Sequence, residues 1–259
     1  MSKRVLLEIA GGVAAVTLNR PQNGNAIDLE LARELMLAMH ACEKDRDVRV
    51  VTLQGSGKMF CTGGDLKAIE SHGAGAAAYV RELLTYLHEA LSAMARIPVP
   101  VVAGLHGAAA GAGFSLACAT DLAIATRSSR FVMAYTKVGL TPDGSSTWYL
   151  PRLVGLRRAM QLTLLNRELT ADEALSWGIL SGVVADDALD VGLSELADQL
   201  AGGPTASYGA TKKLFRESLD QTLETQLMHE MQAICAALDG GESKAGIAAF
   251  LAKQTPKFR

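Results

Sequence analysis

The chain predicts an α/β fold, and three observations carry that prediction. Twice a strand-like apolar run enters a glycine-rich turn that opens a helix; apolar periodicity switches from two to about 3.6 residues after the first hairpin; and the chain beyond Thr170 keeps the helical period. Residues 5–9 and 13–18 are short, β-branched and joined through Gly11-Gly12, which predicts a hairpin. Behind Asp28, a residue type that accepts N–H bonds at helix starts, Leu31, Leu35, Ala38, Met39 and Cys42 share one helical stripe. Residues 48–53 predict a buried strand feeding the first glycine turn, Phe60-Cys61-Thr62-Gly63-Gly64-Asp65-Leu66. The Ala- and Gly-rich stretch 69–78 reads as a mobile loop.

Residues 79–96 form a helix with Leu83, Leu87, Leu91 and Met94 on one stripe, stopped by Pro98 and Pro100 before a strand over 99–104. The second glycine turn follows, His106-Gly107-Ala108-Ala109-Ala110-Gly111-Ala112-Gly113-Phe114, with a compact buried helix from Gly111 onward. Short strands are expected at 122–125 and 130–132. Thr170 caps a helix over 171–177, and further helices are expected near 188–200, 205–219, 223–238 and 243–253. Such a tail packs onto its own core or onto a neighbour.

Composition narrows the function. At 259 residues the chain holds one large core with a helical appendage, and a net charge of -2 argues against a polyanion-binding surface, so no nucleic-acid partner is expected. Cys42, Cys61, Cys118 and Cys235 contain no C-x-x-C pair and read as reduced, mostly buried thiols of a cytoplasmic protein. The five histidines (His40, His72, His88, His106, His229) lack ligand-like spacing, so no metal is expected. No secretory leader is predicted, because strand-like residues follow Lys3-Arg4 directly. Apolar stretches over 97–105 and 107–120 are too short and too broken by proline and glycine to span a membrane. Neither a third glycine after Gly111-x-Gly113 nor a phosphate-binding G-x-x-x-x-G-K-[ST] is present, so no tightly bound cofactor is expected.

The two glycine turns suggest an oxyanion hole. Bare backbone lets a ligand oxygen approach amides that larger side chains would cover, and each fixed N–H donor aimed at a developing oxyanion contributes ~3 kcal/mol. In order along the chain stand Asn19-Arg20-Pro21-x-x-x-Asn25-Ala26-Ile27, the two turns, Gly139-Leu140-Thr141-Pro142-Asp143-Gly144 and Leu150-Pro151-Arg152-Leu153-Val154-Gly155. With these five segments the chain resembles the enoyl-CoA hydratase/isomerase (crotonase) superfamily over essentially its whole length. The resemblance implies a β-β-α spiral core over 1–199, a C-terminal helical region over 200–259 and assembly into trimers or dimers of trimers. It also implies an acyl-CoA thioester substrate, with coenzyme A entering as part of that substrate.

Carried onto this chain, the family's oxyanion donors correspond to the amides of Gly64 and Ala112, the latter at a helix start whose dipole favours negative charge. The hydratase subgroup's two glutamates are replaced by Ser115 and Tyr135, expected to line the pocket, and neither is a carboxylate base. Asp143 matches the acidic position of single-carboxylate isomerases and would move a proton from C2 to C4 of a 3-enoyl thioester. Flanked by Pro142 and Gly144, it also reads as a helix N-cap. The run over 131–140 is particularly similar to the phenylacetate-pathway isomerase group, which rearranges a ring epoxide of phenylacetyl-CoA; Ser145-Ser146 departs from the glycines common there.

A second reading follows from His88, expected on the core-facing side of its helix with Leu84 and Leu91. Together with Asp143 it is similar to the 4-chlorobenzoyl-CoA dehalogenase branch, although Tyr135 stands where that branch has tryptophan. Hydration and catalytically silent acyl-CoA binding complete the alternatives. For the nucleotide end, the resemblance implies Arg20 and Lys67 near phosphates, the backbone of Ala26 and Asp65 near adenine, and Phe250 and Lys253 from a neighbouring subunit.

Overall fold

The computed structural model describes residues 3–258. The hairpin forms as predicted, from β1 (Val5–Ala10) and β2 (Val13–Leu18), and α1 (Leu29–Lys44) starts where Asp28 accepts a hydrogen bond from the Leu31 N–H at 2.9 Å. β3 (Val50–Gly55) lies parallel to β2, and β4 (Val101–Leu105) lies parallel to β3. β5 (Ala108–Ala110), β6 (Leu122–Thr126), β7 (Arg130–Val132), β8 (Leu169–Thr170) and β9 (Gly182–Val184) complete two sheets. The larger has the order β1-β2-β3-β4-β6-β9 and the smaller β5-β7-β8.

Why β3 and β4 read as unbroken apolar runs is clear from what covers them. Val51, Leu53, Val101 and Ala103 face a core shared with α1 and with α3 (Ala76–Arg96), whereas Val50 and Val102 point the other way, onto α8 (Leu189–Gly202) through Leu189, Leu193 and Ala197. A sheet buried on both faces has no polar side to alternate with. Gly104 lets α8 come close, since a β-carbon there would stand 2.7 Å from a Leu193 methyl. The division predicted at residues 199/200 therefore falls inside α8, a helix bonded to the core: the Arg49 side chain donates to the carbonyls of Ala201 (2.5 Å) and Gly203 (2.7 Å).

Three further departures have local causes. The loop expected over 69–78 is mostly helical: α2 (Leu66–Ser71), capped by Asp65 through the Ala68 N–H at 3.1 Å, leads through a 3-10 turn at Gly73–Gly75 into α3. His72 stacks on Tyr79 at 4.0 Å, and this contact, which composition does not reveal, orders the segment. Secondly, α4 (Ala112–Cys118) is followed after β7 by α5 (Ser146–Val154) and α6 (Leu156–Leu165), helices without a predicted counterpart. α5 is entered through Ser145 in the left-handed region, with no side-chain cap, and carries Pro151 internally, so its usual sequence signals are missing. Thirdly, β5, β8 and β9 are too short to show a period.

Thr170 makes a full capping box with Glu173 for α7 (Ala171–Ser176). Then come α8, α9 (Thr205–Ser218), α10 (Leu223–Asp239) and α11 (Gly241–Leu251), matching the helical tail expected from the sequence. No helix among the described residues is long and apolar enough to cross a membrane.

Candidate active site

The two glycine turns are laced together. The Cys61 N–H donates to the Ala108 carbonyl (3.2 Å) and the Ala110 N–H to the Cys61 carbonyl (2.9 Å), so the first turn adds an isolated bridge to β5. On its other side the Ile27 N–H donates to Gly63 O (2.7 Å) and the Asp65 N–H to Ile27 O (2.9 Å). The N–H groups of Gly64 and Ala112, both lining the cavity, have no partner among the described residues. The turns touch where these amides lie, since a β-carbon on Gly63, whose φ is +99°, would sit 3.5 Å from the Ala112 nitrogen and 2.9 Å from Ala110 O. Only glycine fits there.

Asn25 locks the first turn from beneath. Fully buried and itself at φ 55°, it donates from Nδ2 to the carbonyls of Ser56 (2.9 Å), Met59 (2.7 Å) and Phe60 (3.1 Å) and accepts from the Arg20 N–H (2.8 Å). Phe60, Phe114 and Phe131 are fully buried below, each adding roughly 2–3 kcal/mol of apolar burial to the platform. Cys61 belongs to this platform too: burial raises its thiol pKa to about 12, so it is no nucleophile.

Gly64 and Ala112 line a cavity of about 320 Å3 with Asp143 and Tyr135; its walls are otherwise mainly aliphatic, including Leu83, Leu84 and Leu87 from α3 and Ile69 from α2. Asp143 is the sole carboxylate among the lining residues. Its side chain is not a helix cap: α5 begins at Ser146, only the Asp143 backbone carbonyl accepts from Ser146, and the carboxylate Oδ1 accepts from the Tyr135 hydroxyl at 2.5 Å. Burial raises the Asp143 pKa; the Tyr135 hydrogen bond and the nearby His88 imidazole pull it back only in part.

Ser115 and Tyr135 separate in role. Tyr135 lines the cavity; Ser115, fully buried in α4, lies behind it and bonds its hydroxyl at 3.0 Å, so the expectation that both face the pocket is corrected for serine. Burial and the adjacent Asp143 carboxylate push the Tyr135 phenol far above its ordinary range, keeping it neutral.

His88 does not line this cavity, although it lies close enough for its charge to act on Asp143. It is exposed on α3 and borders two shallower clefts, one with Trp148 and Tyr149 and one with Arg81 and Thr85, so the core-facing expectation is corrected. Helical spacing placed it beside Leu84 and Leu91, but it sits at the boundary of the buried stripe.

Arg20 is likewise elsewhere than expected. Its side chain is 8% exposed and binds Asp28 (3.2 Å), Asp65 (3.0 Å) and the Ala26 carbonyl, which makes it an internal clamp rather than a surface cation. The N–H groups of Ala26 and Asp65 are also spent, on Asn23 O (3.1 Å) and Ile27 O. Lys67 is exposed on α2, Phe250 is 81% exposed on α11, and Lys253 is exposed just beyond it. Lys137, which sequence reasoning missed, lines the cavity mouth. A larger cleft of about 750 Å3 between α5 and α9 offers no comparable chemistry, because its Asp121 is neutralised by Lys212 at 2.7 Å.

Over residues 8–259 the sequence matches the family model described as enoyl-CoA hydratase/isomerase. The chain belongs to the enoyl-CoA hydratase/isomerase family. Among its curated relatives, this family member is 37% identical over 259 residues to the 1,2-epoxyphenylacetyl-CoA isomerase of Escherichia coli, covering 100% of this chain and 99% of that protein. It is 34% identical over 251 residues to 4-chlorobenzoyl coenzyme A dehalogenase-2 of an Arthrobacter species, covering 96% and 91%. A crystal structure of an enoyl-CoA hydratase from Polaromonas sp. JS666 superposes with a TM-score of 0.94 at 31% identity, over 98% of this chain and 99% of that one. The crotonase fold and acyl-CoA enzymology of the family thus agree with the expectations drawn from the five motifs.

Proposed function

We propose that this family member is an acyl-CoA isomerase in which Gly64 and Ala112 hold the thioester oxygen and Asp143 carries the proton. The single observation behind the reading is that two unpartnered amides and one desolvated carboxyl share an apolar cavity without a second carboxylate. Proton loss beside a thioester places negative charge on the carbonyl oxygen, and fixed N–H donors stabilise it without reorganising. Asp143 takes the proton from C2 of a 3-enoyl-CoA, the C2–H electrons pass into a dienolate, and return of the proton to C4 leaves the conjugated 2-enoyl product. Syn hydration by paired carboxylates is disfavoured, since Ser115 and Tyr135 occupy the glutamate positions. Dehalogenation through His88 is the weaker reading: His88 is near enough to act on Asp143 electrostatically, but it is exposed and does not line the cavity.

Coenzyme A would enter at the Lys137 and Lys67 side, with these cations meeting phosphate and Phe250 and Lys253 of a neighbouring copy flanking the nucleotide. The exposed apolar side chains of the tail, among them Phe215 (72%), Phe250 (81%) and Leu251 (76%), support a homotrimer or a dimer of trimers. Replacement of Asp143 by Asn tests the shuttle on a 3-enoyl-CoA. Loss of about 10²-fold or more in kcat is expected for a removed acid/base group, and activity within threefold of the parent, about 0.7 kcal/mol, refutes it.

A further inference from the structure

Behind the shuttle carboxylate Asp143 stand two hydrogen-bonded side chains, Tyr135 and Ser115, that the isomerase reading leaves without a role. Asp143 Oδ1 accepts from the Tyr135 hydroxyl at 2.5 Å, and Ser115 Oγ lies 3.0 Å from the same hydroxyl and 3.2 Å from Gly111 O. A carboxylate only accepts, so the single phenolic proton points at Asp143 and the phenol oxygen is left to accept from Ser115, whose one proton is shared between that oxygen and Gly111 O. The backbone holds Tyr135 and Asp143 in place. Tyr135 follows Ala134 in the left-handed region at φ 55°, its N–H bonds Met133 O at 2.7 Å, and its carbonyl accepts from Val138 (3.1 Å) and Leu140 (3.0 Å). Asp143 is followed by Gly144 at φ +59°, where a β-carbon would stand 3.1 Å from Ser115 Cβ, so close approach to α4 requires glycine.

We propose that Tyr135 is a positioning residue for Asp143: its hydroxyl, steadied by Ser115, occupies Oδ1 and leaves Oδ2 as the one oxygen that both removes and returns the substrate proton. The inference rests on the isomerase reading. In the forward step the C2–H bond breaks and the proton goes to Oδ2; in the return step Oδ2–H breaks, a C4–H bond forms, and the dienolate electrons become the C2=C3 double bond. Oδ1 keeps its donor throughout, so the carboxyl has no need to rotate between the two steps, and the proton is held away from solvent. The groups facing Asp143 are Tyr135 itself, His88 from α3 and, on the same cavity wall, Lys137; Tyr135 is the one hydrogen-bonded to the carboxylate.

The test is Tyr135→Phe, which removes only the hydroxyl, assayed on a 3-enoyl-CoA in deuterium oxide beside Asp143→Asn. Loss of a hydrogen bond to a charged group should lower kcat by about tenfold or more while KM stays within about threefold. The acid limb of the kcat/KM profile should move to higher pH, because the carboxylate loses a stabilising donor, and solvent deuterium at C4 per turnover should rise. Parent-like kcat with an unmoved acid limb overturns the inference. If Tyr135→Phe does not fold, 3,5-difluorotyrosine installed at position 135 decides: its more acidic phenol is a stronger donor, so the acid limb should move to lower pH, and an unmoved limb overturns the inference. Activity retained in Asp143→Asn removes the isomerase reading itself; an inactive Asp143→Asn with a parent-like Tyr135→Phe removes only the role given to tyrosine.

Discussion

Gly113→Ala separates backbone placement from side-chain chemistry, because Gly113 points away from the cavity and touches the other glycine turn. Alanine inside a helix is normally favoured over glycine by about 1 kcal/mol. Here the added β-carbon would stand 2.2 Å from the Cys61 carbonyl oxygen and 2.7 Å from Cys61 Cβ. Ordinary contact begins at 3.4 Å, so α4 and the first turn must part by about 1.2 Å. That displacement stretches the Ala110 N–H to Cys61 O bond and carries the Ala112 amide away from Gly64. Overpacking costs about 1–3 kcal/mol, so the net change in stability should be destabilising despite the helix propensity. A shift on the order of 1 Å in a reacting geometry can cost about 10²-fold, so kcat should fall by about that factor while Asp143 and Tyr135 are untouched. Urea unfolding and steady-state isomerisation of a 3-enoyl-CoA measure the two effects. A variant at least as stable as the parent and within threefold of its kcat refutes the claim that the touching turns set the amide geometry.

Asp143 should also leave a pH signature on stability. Burial raises its pKa in the folded state above the unfolded value, so the folded protein holds this proton more tightly, and stability falls as pH rises through that window. Asp143→Asn should therefore unfold at a higher temperature than the parent at pH 7, the gap closing at pH values acid enough to protonate both states; calorimetry across pH checks the sign. Arg20→Gln leaves Asp28 and Asp65 without their shared cation and should lower the unfolding free energy by about 3 kcal/mol in urea titrations, whereas an unchanged midpoint would show the clamp to be idle. Lys67→Ala should raise KM for a CoA thioester a few-fold, by about 1 kcal/mol, and leave the pantetheine thioester unaffected; equal effects on both would remove its phosphate role.

Local signals in the amino-acid order determined much of this protein. The Gly11-Gly12 hairpin, the caps at Asp28 and Thr170, the α1 and α3 stripes and the helical tail depend on interactions within a few residues, so they are legible without a partner. The glycine turns were legible for the same reason: a missing side chain is a local fact whose consequence, exposed backbone, is also local. Tertiary structure decided what those pieces meet. Nothing near Arg20 in the chain shows that Asp65, 45 positions on, will claim its guanidinium. Asp143 reads as an acid with a helix cap as the alternative until folding turns its carboxyl to Tyr135, and helical spacing alone cannot tell whether His88 lies inside or at the edge of a buried stripe. Propensity and capping act along the chain, whereas the charge pairing, desolvation and shared hydrogen bonds that define the site act through space, between segments that only packing brings together.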